Sequence, residues 1–106
     1  MIVFLNTAIL TAHGKYEYTP ITIEEIKTLL KDSDFDFESA IGHVATAQVM
    51  SSVLQIPIKV NRIEFKQQKE DIAIVFKLRG RAPEGTILDK AQLEVIGYDF
   101  GKIVKL

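Results

Sequence analysis

The sequence predicts an α/β fold: a single domain over residues 1–106, with a mixed β-sheet of about five strands flanked by about three helices. Three observations carry this. Strand-like and helix-like segments alternate in the order β, α, β, α, β, β, α, β. One of them, IAIVFKL at 72–78, is apolar on both faces, as a central strand is. The chain has 106 residues, 47% hydrophobic and 25% charged, which is enough to close one core without staples.

Each element has a local reason. MIVFLN opens the chain as a short, apolar, β-rich strand. TAHGKYEYTP reads as a loop or small ribbon, with Tyr16 and Tyr18 alternating with charges and Pro20 stopping it. TIEEIKTLLKD is a helix. Thr22 caps it, Glu25 completes a capping box, and Ile23, Ile26, Leu29 and Leu30 form the buried stripe. DFDFESAI alternates Phe35 and Phe37 with acids and reads as a strand. HVATAQVMSSVL is a second helix, small and apolar on nearly every face and therefore largely buried. IPIKVNRIEFK reads as a strand, QQKED as a turn, and RGRAPEGT as a loop after the central strand. DKAQLEVIGY is a helix capped by Asp89, and GKIVKL is the last strand.

Composition removes several function classes. Cysteine is absent, which excludes a disulfide scaffold, a zinc–cysteine site and a cysteine nucleophile. The formal net charge is −1 with no basic tail, so binding to long nucleic acid by charge is not expected. No apolar run is of membrane-spanning length and no basic-then-apolar leader is visible, so no membrane partner is expected and a cytoplasmic location is. Two distant histidines without carboxylates at helical spacing do not make a metal site, and no cofactor motif is present.

AIGHVATAQVM, at 40–50, carries the densest functional signal. His43 follows Gly42 where a strand gives way to a helix. The first N–H groups of a helix lack partners and favour an anion. Gly42 permits a tight turn and a close ligand approach. A phosphate at this mouth meets backbone donors and an imidazole able to exchange a proton. The plainer reading is that His43 caps the helix or packs in the core. In RGRAPEG, Arg81 can hold a phosphate bidentately and Glu84 can orient or deprotonate a hydroxyl; the plainer reading is a surface pair on a proline turn. Asn61 and Arg62 in NRIEF, and Asn6 and Thr7 in LNTA, are polar interruptions of apolar runs, or ordinary turn and loop residues.

Taken in order, FLNTAILT, AIGHVATAQVM, VNRIEFK and RAPEGTIL resemble the family known as domain of unknown function 1874, or the YddF family. It includes proteins of bacterial mobile elements and small proteins of archaeal viruses. The viral members are anti-CRISPR ring nucleases, which degrade cyclic tetra-adenylate, the second messenger of type III CRISPR systems. The resemblance implies that His43 is the catalytic histidine of the IGH motif, and that Arg81, Glu84 and Gly85 are the R-x-x-E-G motif. It also implies ligand contacts from Asn6, Thr7, Gly42, Thr46, Asn61, Arg62 and Gly85. Viral members usually carry Asp and Ser where this chain has Val44 and Ala45, and Gln where it has Gly80; Thr46 is retained. These departures touch ligand contacts more than the proton-transfer set.

The chemistry so implied needs no metal. RNA carries its own nucleophile, the ribose 2′-OH. An enzyme has to align that hydroxyl, stabilise the added negative charge and protonate the leaving 5′-oxygen. His43 suits the proton donor, Arg81 the charge, and Glu84 the positioning of the hydroxyl or of His43. The rotational symmetry of a cyclic tetranucleotide suits a homodimer gripping it with equivalent groups from both chains. The alternatives are a cyclic-nucleotide-binding module that does not cut, for which Val44 and Gly80 are the motivation, and a partner-binding protein of a mobile element with no nucleotide site.

Overall fold

The computed structural model describes residues 1–8, 10, 12–80 and 89–106. Its elements are β1 (Ile2–Leu5), β2 (Tyr16–Ile21), α1 (Ile23–Asp32), β3 (Phe37–Ala40), α2 (Val44–Leu54), β4 (Ile72–Leu78), α3 (Lys90–Ile96) and β5 (Tyr98–Lys105). The strands form one five-stranded sheet in the order β2-β5-β4-β1-β3. β1 pairs parallel with β3 and with β4, whereas β5 pairs antiparallel with β4 and with β2. The sheet is mixed, as the sequence predicts, and β4 stands at its centre.

The two-residue period of the strands divides the core between two faces. Ile2, Phe4, Ile74, Phe76 and Phe100 face the helices and pack against Ile26 and Leu30 of α1, Val49 and Met50 of α2 and Leu93 of α3. Val3, Leu5, Ala73, Val75 and Ile103 face the other way, where Phe65 and Tyr16 pack on them. Each large side chain withdrawn from water stabilises the fold by about 1.5–3 kcal/mol. This is why β1 and β4 read as unbroken apolar runs: both of their faces are covered.

The caps form as their residue types dictate. Thr22 Oγ1 accepts from the Glu25 N–H at 3.1 Å, and Glu25 Oε1 accepts from the Thr22 N–H at 3.1 Å. Those bonds hold the Glu25 carboxyl below its ordinary pKa. Asp89 and Gln92 make the same reciprocal pair at the start of α3.

Three sequence expectations need correction. Of the two readings of residues 16–21, the ribbon holds and the loop does not: they form β2, and Pro20 does not stop it, since the strand runs through to Ile21. β2 is at the edge of the sheet, where a residue without an N–H breaks no ladder. Phe35 is not in a strand; Asp34 and Phe35 take left-handed conformations (φ 55° and 57°) that turn the chain out of α1, and β3 begins at Phe37. Residues 57–66 contain no strand. They run beside β3 on side-chain bonds instead: Ser39 Oγ donates to the Lys59 carbonyl at 2.6 Å, and Asn61 Nδ2 donates to the Ser39 carbonyl at 2.8 Å. The expected total of five strands is met because β2 takes the place of this segment.

Candidate functional site

β1, β3 and β4 are parallel, so their carboxyl ends lie along one edge of the sheet. A cleft of about 1190 Å³ opens there. Ligands of open α/β sheets bind outside the carboxyl ends of the strands. Asn6 and Thr7 follow β1, Gly42 and His43 follow β3, and Lys77 and Leu78 end β4. Asn6, Thr7, His43, Thr46 and Arg62 all line the cleft.

Gly42 lies just behind this wall, in a smaller cavity of about 270 Å³ shared with Asn6, Thr7 and Arg62. Its N–H donates to Asn6 Oδ1 at 3.1 Å, and its carbonyl accepts from Arg62 Nε at 2.8 Å. A Cβ added to Gly42 would lie 3.2 Å from Arg62 Cγ. The glycine thus leaves room for close approach by the Arg62 stem, which a side chain there would push back by a few tenths of an ångström, and its two peptide groups hold Asn6 and Arg62 in place. The Arg62 guanidinium remains exposed beyond that bond.

His43 is the N-cap residue of α2, with φ −125° and ψ 127°. Its carbonyl accepts from the Ala47 N–H at 3.1 Å, but its side chain makes no capping bond. The imidazole is exposed, so it is neither a side-chain cap nor a core residue. α1 and α3 both begin with complete capping boxes, and α1 has two acids in its first turn. α2 has neither a side-chain cap nor an acid there. Among the described residues no side chain caps its first N–H groups, and its positive dipole end favours an anion, with His43 beside it. Val44, the next residue, is 61% exposed and lines the same cleft.

Asn61 is placed elsewhere. Its N–H donates to the Ile41 carbonyl and its Nδ2 to the Ser39 carbonyl, both at 2.8 Å. It stitches the 57–63 segment to β3 and does not line the cleft. Arg81, Glu84 and Gly85 lie outside the described residues. Leu78 and Asp89, described residues on either side of them in the chain, both line the cleft.

Tyr18 and Lys77 line the cleft without having been singled out from the sequence. They reach it through pairings between distant strands, which local patterns do not reveal. Arg79 is committed: its Nε and Nη2 grip Asp99 at 3.1 and 2.8 Å, and the guanidinium holds the Asp99 carboxyl below its ordinary pKa. Among the described residues no three His, Cys, Asp or Glu side chains gather as a group able to hold a metal ion, and no helix is long and apolar enough to cross a membrane.

Comparison with known proteins adds lineage to this geometry. A family model described as STIV B116-like matches residues 2–100. YddF of Bacillus subtilis (strain 168), a protein described as uncharacterized, is 39% identical over 105 residues, covering 99% of this chain and 97% of its own. ORF117 of Acidianus two-tailed virus, also described as uncharacterized, is 35% identical over 103 residues, covering 93% and 88%. Among solved structures, B116 of Sulfolobus turreted icosahedral virus superposes with a TM-score of 0.68 at 21% identity, covering 96% of this chain and 97% of its own. That likeness shows a shared fold.

Proposed function

Because the chain belongs to the STIV B116-like family, we propose that it is a metal-independent ring nuclease that opens cyclic tetra-adenylate to short linear oligoadenylates ending in 2′,3′-cyclic phosphates. The reaction type comes from the motif resemblance. The observation that carries it on this chain is the start of α2: an uncapped helix mouth with an exposed imidazole, set in a cleft at the carboxyl ends of three parallel strands.

The step balances without an added reactant. The ribose 2′-oxygen attacks the adjoining phosphorus while the bond from phosphorus to the 5′-oxygen breaks. The 2′-OH proton passes to Glu84 or to water, and His43 in its protonated form gives a proton to the departing 5′-oxygen. The α2 N–H groups, Arg62 and Arg81 stabilise the charge that builds on the phosphate. Asn6 and Thr7, on the loop after β1, contact the neighbouring sugar or phosphate, and Thr46 supports the first turn of α2. A two-fold homodimer would present this set twice to a symmetric ring.

A second reading has one observation in its favour. Val44 places an exposed apolar side chain at the helix mouth, where viral members carry an acid. On that reading the cleft holds the ring without cutting it. Incubation with labelled cyclic tetra-adenylate in EDTA separates the two: linear products with cyclic phosphate ends support the nuclease, and retention of intact ring supports the binder. A requirement for Mg²⁺ or Mn²⁺ contradicts the mechanism. Sedimentation with and without the ring tests the homodimer.

A further inference from the structure

We propose that Tyr18 and Lys77 form a base-and-phosphate subsite in the part of the cleft away from His43. The Tyr18 ring is a stacking platform for an adenine, and Lys77 is the cation for an adjoining phosphate. The proposal rests on reading the cleft as an oligoadenylate site, and it adds two residues that lie outside the sequence motifs.

Register places both residues on one face. Tyr18 pairs with Ile103, which pairs with Ala73, and Lys77 pairs with Asp99. Directly opposed residues share a face and faces alternate along a strand. Tyr18, Gly101, Val75 and Lys77 therefore all lie on the side of the sheet away from the helices. Gly101 is what lets the tyrosine lie down. A Cβ added there would collide with Oη, Cζ and Cε2 of Tyr18. The ring lies directly over the glycine and yet is 47% exposed. One side of it is pressed to the sheet; the ring lines the cleft with Val75 and Lys77, and with Lys77 it also borders a neighbouring cavity at the start of α1. A ring so fixed offers a base its π-face at little entropic cost.

Lys77 is exposed at the end of β4 and forms no ion pair among the described residues. Its cross-strand neighbour Asp99 is held by both nitrogens of the Arg79 fork. β4 and β3 flank β1, so Lys77 stands two strand steps from the strand that leads into His43. At about 4.8 Å per step that is roughly 10 Å. Lys77 therefore meets a different phosphate from the one beside His43, and Tyr18, on the far edge strand, meets the base next to it.

The test uses the full chain with labelled cyclic and linear tetra-adenylate. Affinity, single-turnover rate at saturating ligand and thermal midpoint are measured for wild type, Tyr18→Phe, Tyr18→Ser, Gly101→Ala and Lys77→Gln. Tyr18→Ser should weaken binding by roughly 5- to 150-fold, the span of one lost base–aromatic stack. Its rate at saturation should stay within about threefold of wild type, as for a group that binds ground and transition states alike. Tyr18→Phe should restore affinity to within about twofold, since the ring carries the contact. Gly101→Ala should behave like Tyr18→Ser, and Lys77→Gln should lower the salt dependence of binding by about one ion. Wild-type affinity in a folded Tyr18→Ser protein overturns the subsite, whatever the cleavage rate. If wild type binds without cutting, the nuclease reading fails and the affinity series alone decides the subsite. If wild type binds neither probe, both fail.

Discussion

The N–H of Gly42 donates to the side-chain oxygen of Asn6 at 3.1 Å, across 36 residues of sequence. Arg62 closes the other side of the same glycine by donating Nε to its carbonyl at 2.8 Å. The chain after β1, the chain after β3 and the segment beside β3 thus meet at the residue directly before His43. The position of the imidazole depends on all three, and no single helix or strand sets it.

Asn6 should therefore act both on stability and on the ligand, and two substitutions separate these roles. Asn6→Ala leaves the half-buried Gly42 N–H without an acceptor, and urea denaturation should show a loss of about 1–3 kcal/mol. Asn6→Asp keeps an acceptor there but adds a negative charge to the cleft wall. Its stability should stay near wild type while affinity for tetra-adenylate falls by about tenfold or more.

Arg62→Lys keeps the charge and loses the Nε bond and the planar fork. Arginine and lysine are not interchangeable at such a site. The variant should lose about 1 kcal/mol of stability and bind tetra-adenylate more weakly. Indistinguishable denaturation and binding curves for the two proteins would mean that the bond to Gly42 is idle.

Asn61→Ala should do the opposite of Asn6→Asp. It removes the Nδ2 bond to the Ser39 carbonyl, which ties the 57–63 segment to β3. Stability should fall by about 1–3 kcal/mol, with ligand affinity of the folded protein unchanged. Lost affinity at unchanged stability would place Asn61 in the ligand set after all.

The capping box of α1 gives a pH dependence with a definite sign. The bonds with Thr22 hold Glu25 below its ordinary pKa. A carboxyl whose pKa is depressed on folding stabilises the native state above its unfolded pKa, and that contribution is lost as pH falls through the folded value. Thr22→Ala should cost about 1 kcal/mol near neutrality. Alanine at 22 keeps the backbone N–H that bonds the carboxylate, so the variant that reads the pH dependence is Glu25→Ala: its gap in thermal midpoint below wild type should narrow as the pH drops below about 4. A gap that widens under acid contradicts the assignment.

Much of this was legible because local chemistry and the tertiary fold agree. IAIVFKL needs cover on both faces and receives it, and the Thr22 and Asp89 caps form as their residue types require. YEYTPI read equally as a loop or a small ribbon because its proline and charges are tolerated in a strand only at a sheet edge, and an edge is a tertiary fact. PIKVNRIEF has strand-like composition, but Pro57 and the bonds through Ser39 and Asn61 leave it beside the sheet without joining it. Asn6, Thr7, His43, Thr46 and Arg62 line the cleft and Gly42 lies behind its wall. Tyr18 and Lys77 were hidden because cross-strand register brings them there, and Arg81, Glu84 and Gly85 lie outside the described residues.

The most direct measurement is single-turnover cleavage of labelled cyclic tetra-adenylate in EDTA by wild type and by His43→Ala, with thermal midpoint and affinity taken on the same samples. Since the His43 side chain makes no capping bond, its loss should leave the midpoint nearly unchanged. Wild type should yield linear products with 2′,3′-cyclic phosphate ends, and His43→Ala should be slower by a factor of roughly 10²–10⁴. Its affinity should fall much less, because the α2 N–H groups and the arginines remain. Wild-type turnover in folded His43→Ala protein, or an intact ring after incubation with wild type, would contradict the account.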